Sequence, residues 1–319
     1  VTDAVARFAP YVATLGRGPG RSRPLTREEA EDAMRLLLDG APDPMQVGAF
    51  LMLLRYRGED PEEMTGLTLA ARARTTLPGL DAALDWPSYG AGRTRPAPWF
   101  LLAALALGQA GVPVVMHGSN EFASGMTVPE ALGTLGLAPC QDAAGAAASL
   151  ARRGFAYLPV EVLCPAFAGL LGLRRLFGLR SPINTVARLL NPAGAAAGVD
   201  GVFHPPYIAT HLAVAERLAR PRLLVLKGGG GEAERNPAKP TQLHIWDQAE
   251  GRSVVTAPAL MGADGDDGRP ELAAIWRGET RHAGIEARII GTIALGLIAT
   301  RRGGDAEAEA LWEQRGRVL

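Results

Sequence analysis

Between residues 152 and 188 the chain sets six arginines (Arg152, Arg153, Arg174, Arg175, Arg180 and Arg188) against a single acid, Glu161. Arg93 and Arg95 lie in a second stretch, between Asp85 and Asn120, that contains no acid. Lys227 leads into Gly228, Gly229, Gly230 and Gly231, a run that offers backbone N–H groups beside a cation. Guanidinium forks and bare amides are the groups that hold phosphate oxygens. Trp86, Tyr89 and Trp99 stand near the first arginine pair and could stack on bases. These residue types suggest recognition of a phosphate-bearing ligand, a nucleic-acid backbone among them.

Bulk charge adds nothing to that reading. Lys+Arg and Asp+Glu are 33 each, so attraction for a polyanion has to come from local clustering. The only lysines are Lys227 and Lys239, an arginine bias that a GC-rich genome would also produce.

Each feature has a plainer alternative. Arg152 and Arg153 read equally as a solvated helix end, and Arg174 as a phosphate contact or a buried ion pair. Trp99 and Phe100 suit the core of a buried helix. The glycine run suits a flexible loop, since no GxxxxGK pattern contains it. His117 could be a satisfied core histidine, and His204 and His211 packing or surface residues. Arg17, Arg21 and Arg23 sit in a Gly/Pro stretch and would be solubilising there. Asp264, Asp266 and Asp267 read as a surface turn. Cys140 and Cys164 form no CxxC pair and no metal-ligand spacing with histidine, which fits a reducing compartment. No basic-then-apolar leader opens the chain. The apolar run 289–300 is too short for a bilayer and is flanked by Arg288 and Arg301. A cytoplasmic protein with no membrane association is expected.

The elements that must position these residues fall into two styles. Thr26 and Glu29 form a capping box for a helix that runs to Leu38 and stops at Gly40. Asp43-Pro44 opens a second helix over 45–57, and Asp60, Pro61 and Glu63 a third reaching about Arg74. From about Leu84 short strand-like runs (112–115, 155–160, 199–203, 222–226) alternate with helical stretches such as 98–110 and 208–219. Residues 165–190 are helical and Arg-rich, 242–246 and 252–256 form a late strand pair, and the C-terminal stretch is helical. The expected fold class is α/β, a small helical N-terminal domain plus a larger, mainly parallel-sheet domain.

Three segments carry a family resemblance. Residues 24–67 (PLTREEAEDAMRLLLDGAPDPMQVGAFLMLLRYRGEDPEEMTGL), 117–136 (HGSNEFASGMTVPEALGTLG) and 169–203 (GLLGLRRLFGLRSPINTVARLLNPAGAAAGVDGVF) resemble anthranilate phosphoribosyltransferase. Its superfamily includes the pyrimidine nucleoside phosphorylases. The resemblance implies a helical dimerisation domain of residues 1–77, completed by 163–190. It is hinged to a phosphoribosyltransferase-like α/β domain of 78–162 and 191–319, and a homodimer forms through the helical domain. It also implies a cleft for phosphoribosyl pyrophosphate, Mg²⁺ and an amine acceptor.

Against the family's G-T-G-G-D loop, Gly90 and Gly92 are kept, but Arg93 and Thr94 replace the third glycine and the acid. Pro98, Phe100 and Leu101 stand where Asn, Ser and Thr would meet phosphate. Met116 replaces a lysine and Ser119 an asparagine, while His117, Gly118 and Ser124 remain; Glu130 takes a place that is usually Asp. Ala233-Glu234 stands for the Asp-Glu metal pair, which leaves Glu234 as a weak metal site. Arg174, at the acceptor-site arginine, and Asn184 are kept, and Arg188 adds a charge.

Residues 85–119 and 178–192 resemble one branch specifically, the YbiB-like proteins, which are associated with sequence-nonspecific nucleic-acid binding. That resemblance implies a non-catalytic protein with no cofactor, binding DNA or RNA through Arg93, Arg95, Arg174, Arg175, Arg180, Arg188 and Lys227. Gly90, Gly92, His117, Gly118, Ser119, Ser124, Arg174 and Asn184 would remain as a vestigial substrate pocket. The alternative is a phosphoribosyltransferase using Mg²⁺ and phosphoribosyl pyrophosphate on an unidentified acceptor. A scaffold acting only through its dimer surface is a third reading.

Overall fold

The computed structural model describes residues 3–90, 97–261 and 271–318. Four helices come first: α1 (Asp3–Gly16), α2 (Arg27–Leu38), α3 (Pro44–Arg57) and α4 (Pro61–Thr75). Three of them start as their sequences dictate. Thr26 and Glu29 close a reciprocal capping box, Asp43 caps α3 with Pro44 in its first turn, and Asp60 accepts from the Glu62 N–H at 2.8 Å. Ahead of the first helix that the sequence signals, before the Gly/Arg-rich stretch, lies α1. Phe8 anchors it, tilted against Phe50 at 5.1 Å.

The remaining elements alternate as β1 (Leu84–Ser88), α5 (Trp99–Gln109), β2 (Val114–Gly118), α6 (Val128–Thr134), α7 (Ala143–Arg153) and β3 (Phe155–Pro159). Then come α8 (Val160–Leu163), α9 (Pro165–Gly172), α10 (Arg174–Phe177), α11 (Ile183–Arg188), β4 (Ala197–Val202), α12 (Pro206–Arg217) and β5 (Arg222–Lys227). β6 (Thr241–Asp247), β7 (Gly251–Ala257), α13 (Leu272–Arg277), α14 (Ala283–Ala299) and α15 (Asp305–Gln314) complete the chain.

The strands form one sheet in the order β3-β2-β1-β4-β5-β6-β7, parallel through β5 and antiparallel at β6 and β7. β1 is central yet was absent from the sequence reading, because Pro87 argues against an interior strand. The sheet tolerates it: β1 pairs with β4 only at Leu84 and Asp85, so Pro87 lies beyond that ladder. The strand at 112–115 is shifted to Val114–Gly118, with Gly118 against Ser88. A Cβ on Gly118 would stand 2.1 Å from the Ser88 carbonyl oxygen, so only glycine fits there.

Strand alternation sorts the two faces of the sheet. Leu84, Trp86, Val114, Met116, Leu224 and Leu226 face a core filled by α5 and α14. Leu223 and Val225 face a second core, shared with Phe50, Leu51 and Leu67 and closed by Phe167, Leu170, Ile183 and Val186. The chain is thus a helical N-terminal part on a larger, mostly parallel α/β part, and α9 and α11 pack into the same core as the N-terminal helices.

One buried acid in the helical part makes stability depend on pH. Glu63 accepts the Leu25 N–H at 2.7 Å, and burial raises its carboxyl to about 7. A raised folded pKa means stability that is full below the ordinary carboxylate range and lost as pH climbs through about 7. Glu63→Gln therefore gains stability relative to the wild type between pH 5 and pH 8, read from urea melts. A difference that stays flat across that range counts against this origin.

Candidate functional site

The strand order reverses between β1 and β4, which opens a crevice at the carboxyl ends of the parallel strands, where α/β sheets take their ligands. Two stretches meet on one side of it: Gly90 after β1, and residues 228–235 after β5. The Gly90 N–H donates to Glu232 Oε1 at 2.5 Å, and a Cβ on Gly90 would lie 2.1 Å from that oxygen. The Phe100 N–H, in the first turn of α5, donates to Glu234 Oε2 at 3.1 Å, and Arg288 Nη1 stands 3.6 Å from Glu234 Oε1. Gly92, Arg93, Thr94 and Arg95 lie outside the described residues.

At Glu234, expected to be at most a weak metal site, the contacts are those of a structural carboxylate. Its side chain is buried, and its two oxygens face a helix amide and a guanidinium, both competitors of a cation. The neighbouring Ala233 brings no oxygen, and among the described residues no group of three or more His, Cys, Asp or Glu could hold a metal. These residues do not fit Mg²⁺, which requires near-octahedral oxygen donors.

The other side of the crevice is cationic. A cavity of about 400 Å³ between the helical and α/β parts is lined by Arg55, Arg174, Arg180 and Arg188, with Glu59 the one acid among its described lining residues. Arg174 stacks over the Phe122 ring at 4.5 Å, and its Nη1 is buried with no hydrogen-bond partner among the described residues. Burial lowers the Arg180 pKa, and so does the repulsion of Arg188, Arg174 and Arg55. Burial also raises the Glu59 carboxyl, against the pull of Thr185, His211 and Arg55, which weakens the one negative charge. Asn184 lines the same cavity and accepts the Ser181 N–H at 3.1 Å. Phe203 and His204, edge to face with centroids 4.8 Å apart, are exposed at its mouth.

Arg174, Arg180, Arg188 and Asn184 line this one cavity; several other residues named from the sequence do not. Arg175 is paired with Glu121 at 2.6 Å and does not line the cavity. Arg188 lines it but is buried and ion-paired with Asp200 at 3.1 Å, so part of its donor capacity is structural. Lys227 is exposed at the end of β5, outside the lining. Trp86, Tyr89 and Trp99 are buried, which removes them as stacking platforms. Ser119 and Ser124 lie on the turn between β2 and α6, the Ser119 N–H donating to the Ser88 carbonyl at 3.3 Å. His117 is no pocket residue: it is fully buried beneath the crevice.

His117 belongs to a polar layer that the sequence reading missed. Its Nδ1 is 2.8 Å from the Tyr89 hydroxyl and its Nε2 3.2 Å from Asp85 Oδ1, while Arg220 donates to Asp85 Oδ2 at 2.9 Å. On the next strand Asp200 lies between Arg188 and His211, the latter at 2.5 Å. Burial disfavours the Asp85 anion, but Arg220 and His117 outweigh it and hold the carboxyl below its ordinary range.

Comparison with known proteins matches this architecture. The chain matches the helical bundle domain of the glycosyl transferase family over residues 9–75 and its a/b domain over residues 100–264. It is 30% identical to the anthranilate phosphoribosyltransferase of Beijerinckia indica over 277 residues, covering 84% of this chain and 79% of that protein. It is 29% identical to the uncharacterized protein YbiB of Escherichia coli, covering 84% and 86% respectively. The crystal structure of anthranilate phosphoribosyltransferase from Thermus thermophilus superposes with a TM-score of 0.77 at 26% identity, over 98% of this chain and 94% of that one.

Proposed function

Because the chain belongs to the glycosyl transferase family, in its YbiB-like branch, we propose that it is a phosphoribosyltransferase-type protein whose working site is the arginine-lined cavity, where it holds an anionic acceptor. The observation that carries this is Arg174: a buried guanidinium nitrogen with no hydrogen-bond partner among the described residues, in a cavity with three more arginines. A buried donor left unmade costs about 1–3 kcal/mol, which a carboxylate or phosphate oxygen would recover. In this reading Arg174 and Arg180 grip the anion, Asn184 supplies an amide, and the Phe203–His204 pair covers the ligand. No step runs through a metal.

A second reading, nucleic-acid binding, is favoured by one observation: the aromatic pair at the mouth is exposed beside the arginines, as a base-stacking platform would be. A single titration series separates the two. The expected result is calorimetric binding of anthranilate or phosphoribosyl pyrophosphate, weakly dependent on salt, with pyrophosphate release when an amine acceptor is added. Oligonucleotide binding whose log K falls by about 0.7 per phosphate neutralised for each tenfold rise in salt, with no small-anion binding, replaces the first reading by the second.

A homodimer through the helical part belongs to the same proposal. An apolar groove lined by Leu37, Leu38, Val47, Leu170, Leu173 and Phe177 adjoins exposed Met45 and Leu176, a surface of the kind that association covers. No helix among the described residues is long and apolar enough to cross a membrane.

A further inference from the structure

We propose that the protein has a second anion site, at the opposite end of the sheet from the crevice, for a phosphate monoester carried on an apolar group. A cavity of about 800 Å³ opens where β2 and β3 begin, and the ends of α5, α7 and α15 meet around it. Its cations are Arg152 and Arg153, which end α7, and Arg315, just past α15. No acid is among its described lining residues. Pro113, Leu150 and Leu311 supply an apolar wall, and a space of this order suits a small organic molecule.

Capping of the helix ends does not use up Arg152 and Arg153. The last carbonyls of α5 are taken by backbone, Leu107 by the Val112 N–H at 3.0 Å and Gly108 by the Gly111 N–H at 3.1 Å. At the end of α7 the Gly154 N–H reaches the Leu150 carbonyl at 2.7 Å. Gly154 has a φ of 65°, and a Cβ there would overlap the Gly108 carbonyl, so the ends of α5 and α7 lock together beside both arginines. Arg153 Nε is buried with no hydrogen-bond partner among the described residues. Burial lowers the Arg153 pKa, and so does the repulsion of Arg152. Arg315 donates to the Trp276, Trp312 and Ile275 carbonyls, neutral acceptors that leave its charge in place. Arg152 and Arg153 also border a smaller cavity of about 450 Å³. Asp142, the one acid among its described lining residues, is occupied in accepting the Gly145 N–H at 2.7 Å. Three helix C-termini carry roughly −0.5 each, about −1.5 together, against three guanidinium charges. The surplus of roughly +1.5 is matched by a phosphate monoester, which carries about −1.5 to −2 near neutrality, and only partly by a carboxylate.

The test is calorimetry with phenyl phosphate on full-length protein carrying Arg174→Ala and Arg180→Ala, so that the arginine cavity at the crevice does not contribute. One saturable site per chain is expected at millimolar concentration or below. Inorganic phosphate lacks the apolar body and benzoate has the smaller charge, so each should bind roughly tenfold more weakly. Arg152→Ala with Arg153→Ala should weaken phenyl phosphate by about tenfold or more. Ala110→Trp, at an exposed lining position, fills the cavity without changing the charge and should block binding as well. Should the arginine variant not fold, Ala110→Trp decides alone. No saturable heat, or an affinity that these substitutions leave unmoved, overturns the proposal. Equal affinity for inorganic and phenyl phosphate overturns the ligand class. The outcome is independent of the reading of the arginine cavity at the crevice, whose own titration keeps Arg174.

Discussion

Asp85→Ala should destabilise the protein by about 3–5 kcal/mol, the cost of leaving a buried charge without its partner. Asp85 is on the central strand, within 2.9 Å of Arg220 Nη2 and 3.2 Å of His117 Nε2, and all three side chains are essentially inaccessible. The alanine removes the carboxylate that pairs with Arg220 and strands its guanidinium between sheet and helices. For a chain of this size the fall in Tm should be on the order of 10 °C. Sign and pH agree: a carboxyl held below its ordinary range contributes stability above that range and loses it as the solution is acidified through the lowered value. The gap between wild type and variant, followed by thermal melts, should therefore narrow towards strong acid. A melting temperature within two or three degrees of wild type near neutrality would show that water or rearrangement relieves Arg220 after all.

The second large effect is on binding. Arg174→Ala removes a charge-assisted donor worth about 1.5–3 kcal/mol, so small-anion affinity should fall roughly 10- to 150-fold. Arg175→Ala, one residue along, should change affinity little, because that guanidinium is taken by Glu121 outside the cavity. The contrast between neighbours is the informative quantity, since both substitutions remove one positive charge from the same segment. Matched losses in the two variants would point to a diffuse basic surface, and the cavity would lose its claim to be the site.

How far the sequence reaches is visible in the same residues. Helix starts at Thr26, Asp43 and Asp60 were legible because a cap is settled within four residues by backbone amides with nowhere else to go. The sheet was legible in outline, but β1 was hidden by Pro87, whose tolerance depends on where a partner strand stops 110 residues later. Arg174 and Arg175 both counted as phosphate-binding arginines, Arg174 alone at the acceptor-site position; only the fold brings Glu121 to Arg175 and leaves Arg174 facing the cavity. Arg55 and Glu59 had no local signature at all, since they become site residues only when the helical part docks on the sheet. Of the aromatic residues near the loop, Trp99 and Phe100 are in the buried helix their sequence suits, while Trp86 and Tyr89, offered as stacking platforms, are claimed by the core; Phe203, which is exposed, has no local signature. Glu232 was passed over beside its glycines because one acid in a loop means little until Gly90 is placed against it.

The order in which the chain visits its two cores bears on how the protein is made. Phe50, Leu51 and Leu67 emerge from the ribosome about a hundred residues before Phe167, Ile183 and Val186, with which they share a core. Until then the nascent helices carry an uncovered apolar stripe through the synthesis of β1, β2 and β3, and a product truncated in that interval would be a natural client for chaperones. Contacts so distant along the chain also slow the final search, which makes late, concerted closure of the helical part the expected rate-limiting event.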